Sequence, residues 1–175
     1  MRADWGKPID IQVMASALQQ RSFELAGELA DGAISWVCPL PYIEQVALPA
    51  LSTGAARARR PRPQMVMHVS VCVHDDADEV YEAARSRFAY QPRLPFYRRM
   101  FMAAGFPEAA QGVMSKAMLE AIVISGDESS VAQQLRKIAA TGVDEVLCSI
   151  ISPQASKRAS TERTLQLLAE VSKSE

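Results

Sequence analysis

The chain has 175 residues, 49% of them hydrophobic and 22% charged, with 19 basic against 20 acidic side chains for a formal net charge of -1. This is the make-up of a globular domain with a core, and it excludes a disordered chain and a general binder of nucleic acid or anionic membranes. No apolar run reaches the roughly 20 residues of a membrane-spanning helix, the opening MRADWGKPID lacks the apolar stretch of a secretory signal, and the three cysteines are too widely spaced for a disulfide framework; a cytoplasmic protein is expected.

In chain order, Ile9 to Ala15 is apolar enough for a buried strand, and Ser22 to Ala30 follows as a helix with Phe23, Leu25, Ala26 and Leu29 assigned to its buried face. Asp31-Gly32 stops this helix, with the glycine expected in the left-handed position, and AISWV is the second strand. Proline-rich CPLPY leads into a helix from about Ile43 to Arg59, which RRPRP breaks. QMVMHVSVCVH alternates strictly from Met65 to His74 as the third strand, and the carboxylates of DDADEV start a helix that runs to about Phe88. An irregular YQPRLP, a helical FYRRMFMAAGF and an amphipathic piece over Lys116 to Ile124 form a helical insertion around residues 90–125. GDESSVAQQLRKIAATG is a capped helix stopped by Gly142, VDEVLCSII is the fourth strand, and Thr161 to Val171 is the terminal helix. Four strands alternating with helices imply an α/β fold with parallel strands, in a single domain over 1–175. About 250 residues make an eight-stranded (β/α)8 barrel, so the chain has the units of half of one.

Three stretches, LAGELADGAI (Leu25 to Ile34), PFYRRMFMAAGFPE (Pro95 to Glu108) and GDESSVAQQLRKIAATGVDEV (Gly126 to Val146), together resemble the luciferase-like monooxygenase superfamily, and more narrowly its deazaflavin (coenzyme F-420)-dependent branch. The resemblance covers nearly the whole chain. It implies a TIM-barrel-type fold of which this chain supplies about four strand-helix units equivalent to the C-terminal half. It also implies an oxidoreductase that uses reduced deazaflavin or FMN for hydride transfer to, or oxygenation of, a small organic substrate. The alternative is a non-catalytic half-barrel, or a truncated enzyme. A half-barrel has open strand edges, so a homo-oligomer or pairing with a chain supplying the other half is expected under either reading.

A strand that delivers the chain to a helix start leaves outward amides suited to phosphate. The resemblance places the cofactor phosphate there, on the backbone of Leu18, Gln19, Gln20, Arg21 and Ser22, with Arg21 and Ser22 able to add side-chain donors and Gln19-Gln20 standing where relatives read glycine-proline. Alternation along the third strand turns His68, Ser70, Cys72 and His74 toward the barrel interior, with His74 at the C-terminal end where barrel enzymes keep their catalytic groups; there it either meets a cofactor or caps the following helix. His68, deeper, reads as a core histidine. The insertion, lying after a strand end, brings Tyr97 or Arg98 toward cofactor or substrate, while Phe96, Met100 and Phe101 anchor it. The cysteines and histidines match no structural zinc spacing, so no metal is expected. The arginines of ARARRPRP read as a solvated helix end, and Glu24 and Glu28, one turn apart, as a solvated face.

Overall fold

The computed structural model describes residues 11–173, so the start of the expected first strand, Ile9 and Asp10, lies outside the described residues. The elements are β1 (Met14–Ala17), α1 (Gln20–Leu29), β2 (Gly32–Ser35), α2 (Leu40–Tyr42), a π-helical turn (Ile43–Ala47), α3 (Leu48–Arg57), β3 (Gln64–Val73), α4 (Ala77–Phe88), α5 (Pro95–Ala103), α6 (Lys116–Ile122), β4 (Val123–Gly126), α7 (Glu128–Ala139), β5 (Glu145–Ile150) and α8 (Lys157–Val171). Every strand pairing is parallel. The α/β fold expected from the alternation is the one observed.

The sheet explains how the units connect. β5 pairs with residues 66–71 of β3, overlapping both the segment paired with β2 (64–67) and the one paired with β4 (70–73). Because a strand has two edges, β2 and β4 must share the edge opposite β5. The order β1-β2-β3-β5 is thus four consecutive staves of a barrel, and β4, a strand not foreseen in the sequence, lies beyond β2 along the upper half of β3. Residues 123 and 124, read as the end of an amphipathic helix, instead begin this strand. The helix leading into the fourth stave is α7, so the whole excursion from α4 to α6 is added at the C-terminal end of β3.

Two aspartates repeat one solution at the opposite end. Asp31, preceding β2, accepts from the amide of Val13 at 2.7 Å, and Asp144, preceding β5, accepts from the amide of Met65 at 2.7 Å. Each carboxylate thereby satisfies an amide on the incoming neighbouring strand that the ladder leaves unpaired. Asp144 also holds Arg62 through two bonds of 2.8 and 3.0 Å. The arginine-rich segment after α3 is therefore partly structural, as is Arg57, which bridges Glu24 at 2.9 Å and Glu28 at 3.4 Å on α1.

Phe23 and Ala26 lie on the buried face of α1 as expected, joined by Gly27, whereas Leu25 and Leu29 are exposed. At about 100° per residue, position 25 lies some 200° from Phe23, on the other side of the helix. Gly32 does not take the left-handed conformation either: Ala30 ends α1 in extended geometry, and Gly32 opens β2 as an ordinary strand residue. Gly142 does stop α7 with a φ of +91°.

α1 and α3 cross at backbone contact. A Cβ on Gly54 would meet the Glu24 carbonyl oxygen at 1.9 Å, and one on Gly27 the Leu51 carbonyl oxygen at 2.2 Å. Neither backbone can yield without moving a whole helix. Gly54→Ala is expected to lower stability by about 2–3 kcal/mol, at the upper end of overpacking costs, read as a fall in the denaturant midpoint; an unchanged midpoint would show that the crossing is looser than this.

Candidate functional site at the mouth of the half-barrel

β1 ends at Ala17, and the five residues expected to hold phosphate form the next turn. Gln19 is extended (φ -105°, ψ 154°), a conformation open to any residue, so no glycine is required. The turn is pinned from several sides. The Ser22 hydroxyl accepts from the Gln19 amide at 3.0 Å and donates to the Gln19 carbonyl at 2.8 Å, and the Tyr42 hydroxyl donates to the Leu18 carbonyl at 3.0 Å. Burial pushes the Tyr42 phenol up to about 12, so it remains a donor. The amides of Ser22 and Phe23 bond to the Gln19 carbonyl. That leaves the amides of Gln20 and Arg21 without a partner among the described residues. They are two of the orphan donors of a helix start, where the helix dipole adds positive potential.

The two glutamines act within the protein. Gln19 Nε2 donates to the carbonyl of Phe96 at 2.8 Å, and Gln20 Nε2 to Glu24 Oε1 at 3.0 Å. The first bond ties the turn to the start of α5, 77 residues on. A cavity of about 780 Å3 lies between them, lined on one side by Ser16 and Leu18 to Ser22 and on the other by Leu94, Pro95, Phe96, Tyr97 and Arg99. The structure thus brings the turn and Tyr97 together at one site. Arg98 does not line it; Arg99, which the sequence reading passed over, does, with its guanidinium 5.0 Å from the Phe96 ring centre. Residues 96 and 99 are three apart and share a helix face, a spacing that could have pointed to Arg99. Met100 and Phe101 anchor α5 as expected, whereas Phe96 is exposed at the cavity. Burial raises the Tyr97 phenol above its usual range, so it faces the cavity as a neutral donor.

The cavity wall carries two arginines, Arg21 and Arg99, and among the described residues no carboxylate. A second cavity, of about 580 Å3, has the opposite character: Asp76, Asp78, Glu79 and Glu82 of the α4 start face Ser152 and Pro153 across it. His74 belongs to that side. Its Nε2 lies 2.9 Å from Glu79 Oε2, outside the cavity at the β1–α1 turn, while Asp76 caps α4 by accepting from the amides of Asp78 and Glu79. The cap of α4 is thus Asp76, and His74 meets a side chain of the first turn of that helix. Between β3, α7 and α8, Arg163 holds Asp75 (2.9 and 3.1 Å) and Glu128 (2.7 and 2.9 Å) at once, a clamp with no local sequence signal. Among the described residues no group of side chains could hold a metal ion.

On the interior face the alternation holds for His68 and Ser70. His68 is 3% exposed, stacks on Trp36 with ring centres 3.8 Å apart, and shares a hydrogen bond with Ser149 through Nε2, while its Nδ1 has no partner. Cys72, higher on the strand, lies 3.5 Å from the Ser160 hydroxyl of α8. Cys38, near the cavity, is buried with its thiol pushed up to about 12, so no reactive thiolate is present there.

A comparison with known families matches residues 3–145 to the luciferase-like monooxygenase family. The chain belongs to that family. An uncharacterized protein of Mycobacterium tuberculosis is 28% identical over 157 residues, a match covering 78% of this chain and 46% of the relative. The luciferase-like chain described here therefore spans about half the length of the curated relatives it matches. Among solved structures, an F-420-dependent secondary alcohol dehydrogenase in complex with an F-420–acetone adduct superposes with a TM-score of 0.68 at 15% identity, covering 93% of this chain and 51% of that one. The oxygenating constituent of 3,6-diketocamphane monooxygenase of Pseudomonas putida, in complex with FMN, gives 0.58 at 15% identity over 89% and 45%. These likenesses agree with the four staves: the fold is that of half a luciferase-like (β/α)8 barrel.

Burial holds the His68 pKa below the ordinary 6.5, with the charge of Arg87 acting in the same direction. The folded histidine stays neutral while the unfolded one protonates, so its contribution to stability is complete above pH 6.5 and is lost as pH falls below that value. The melting temperature is expected to drop between pH 7 and 5.5, and the drop to shrink in His68→Gln; superimposable profiles would remove His68 from the acid response.

Proposed function

We propose that the chain is the phosphate-holding half of a luciferase-like oxidoreductase that works with reduced coenzyme F-420 or FMN on a small organic substrate. The observation that carries this reading is the pair of unpartnered amides of Gln20 and Arg21, opening onto a cavity with two arginines and no carboxylate among the described residues. Its volume of about 780 Å3 suits a cofactor-sized ligand, for which pockets run to roughly 300–1,000 Å3. The residues present fit the phosphate. The two amides and the Arg21 guanidinium would donate to it. The Ser22 side chain would not, since its hydrogen is directed to the Gln19 carbonyl. Leu18 and Gln19 shape the turn, and Tyr97, in the cavity wall, is a neutral donor for a cofactor or substrate oxygen. The cofactor, when bound, supplies the hydride or the oxygen-activating electrons; the protein binds, orients and keeps water away.

Titration of the purified chain with F-420 and with FMN, followed by cofactor fluorescence, is expected to show saturable binding of at least one of them. Arg21→Glu should weaken it about tenfold, since it turns a charge-assisted donor to phosphate into a repelling charge. No binding of either cofactor would overturn the reading for this chain.

A second property rests on the interior face, where Trp36 is 38% and Leu147 46% exposed, and on the outer edges of β1 and β5, which pair with no strand among the described residues. An apolar face flanked by open edges favours association. The luciferase-like chain pairs with a second copy, or with a chain supplying the other four staves. Light scattering of the purified protein should give at least twice the monomer mass, and a stable compact monomer would rule this out.

A further inference from the structure

The two open seams of the half-barrel carry exposed apolar side chains in both the strand and the helix layer. On the β1 seam Val13 and Met14 are exposed, and so are Leu25 and Leu29 of α1. At about 100° per residue these two leucines lie some 160° around α1 from Gly27, the residue against α3, so they point away from the chain's own helix layer. On the β5 seam Leu147 and Leu165 of α8 are exposed, and Val146, Cys148 and Ile150 are half-buried. Charge divides the same way at the mouth: Arg21 stands just past the end of β1, and the carboxylates Asp76, Asp78, Glu79 and Glu82 face Ser152 beyond the end of β5.

Resting on the association reading above, we propose that the seams are covered by a second copy of this chain, and that the two copies close one eight-stranded barrel about a two-fold axis, β5 of each pairing in parallel with β1 of the other and Leu147 lying opposite the partner's Met14. A two-fold along the barrel axis keeps all strands parallel and brings both mouths to one end. The observed ladders set Ser16, Ile34, Val66 and Glu145 level with one another. An eight-stranded barrel of this type is staggered by about eight residues around its circumference, hence by about four over each identical half. Glu145 therefore meets the partner's Gln12; the opposite stagger would set it against the partner's Gln20, where β1 has already given way to α1. In this register Leu147 covers the partner's Met14 and Ser149 meets the partner's Ser16 on the inner face. On the outer face the larger Val146, Cys148 and Ile150 meet the partner's Val13, the partner's Ala15 and the partner's Ala17. The acidic cavity of each copy comes beside the partner's Arg21, opposite charge against opposite charge. One chain thus supplies both sides of each match in strand direction, face and charge, which favours a second copy over an unlike chain. The cavity at each β1–α1 turn is then bordered by the partner's Ser152 and the partner's Pro153, and it is incomplete in a single copy.

The register sets Cys148, a free thiol, directly opposite the partner's Ala15. Paired strands stand about 4.8 Å apart, within the roughly 4.4–6.8 Å between Cα atoms that a disulfide spans. Ala15→Cys, mildly oxidised and run on a non-reducing gel, is expected to convert to a covalent dimer, and Ala15→Cys with Cys148→Ser to run as a single chain. Ala17→Cys, about 6.6 Å further along the strand, should cross-link far less. Met14→Cys with Leu147→Cys in a Cys148→Ser background reads the same register from the inner face and should cross-link as well. Light scattering of the unmodified chain should give twice the monomer mass and nothing larger. A dimer in which neither pair cross-links, or in which Ala17→Cys outruns Ala15→Cys, overturns the register and the shared barrel while leaving the association reading intact. A ladder of larger species shows open-ended pairing and overturns the two-fold closure alone. A stable monomer overturns the association reading and this inference with it.

Discussion

The contact between α1 and α3 at Gly27 and Gly54 is the constraint on which the site depends. With no side chain at either position, the two helices lie backbone against backbone, and the Glu24 and Leu51 carbonyls occupy the space a Cβ would take. Helix pairs that rest on larger side chains can tilt or slide by repacking them; this pair has nothing to repack. Arg57, bridging Glu24 and Glu28, adds a polar tie on the exposed side of the same crossing. The position of the first turn of α1, and hence of its open amides, follows from a contact deep in the helix layer. Tyr42, reaching the Leu18 carbonyl from the segment after β2, fixes the same turn from the next unit along.

Most of the fold was legible because barrel units announce themselves locally. Strict alternation in β3, Asp127 as the cap of α7 and Gly142 as its stop each rest on interactions within a few residues. β4 was not legible: only four residues long, it exists because β3 extends past β2 and offers an edge, a fact about the neighbours and not about Val123–Gly126. The exposed leucines of α1 show the reverse error, hydrophobicity counted without its angle. The site divides in the same way. The turn of residues 18–22 follows from a strand entering a helix, and Tyr97 from an insertion after a strand end. Arg99 replaces Arg98 because the phase of α5 is set by Met100 and Phe101 at its base. The links from Gln19 to Phe96 and from Arg163 to Asp75 and Glu128 join residues far apart in sequence, and no local pattern encodes them.

The mouth is divided by charge. On the β1 side it presents amides and guanidinium groups; on the side of β3 and β5 it presents the carboxylates that open α4. His74 and Arg163 stand at that acidic side and are engaged by Glu79, Asp75 and Glu128. An anionic ligand approaching the mouth is therefore drawn toward one edge and repelled from the other, which orients it before any contact forms.

The hydrogen bond from Gln19 to the Phe96 carbonyl also bears on how such a protein can be rebuilt. A glycine at position 19 would give the turn more freedom but would leave the α5 wall unanchored, and an insertion of a different length would leave the Gln19 amide reaching into solvent. The turn and the insertion form a matched set, so a loop transplanted from a relative would bring its own specificity only if residue 19 travelled with it.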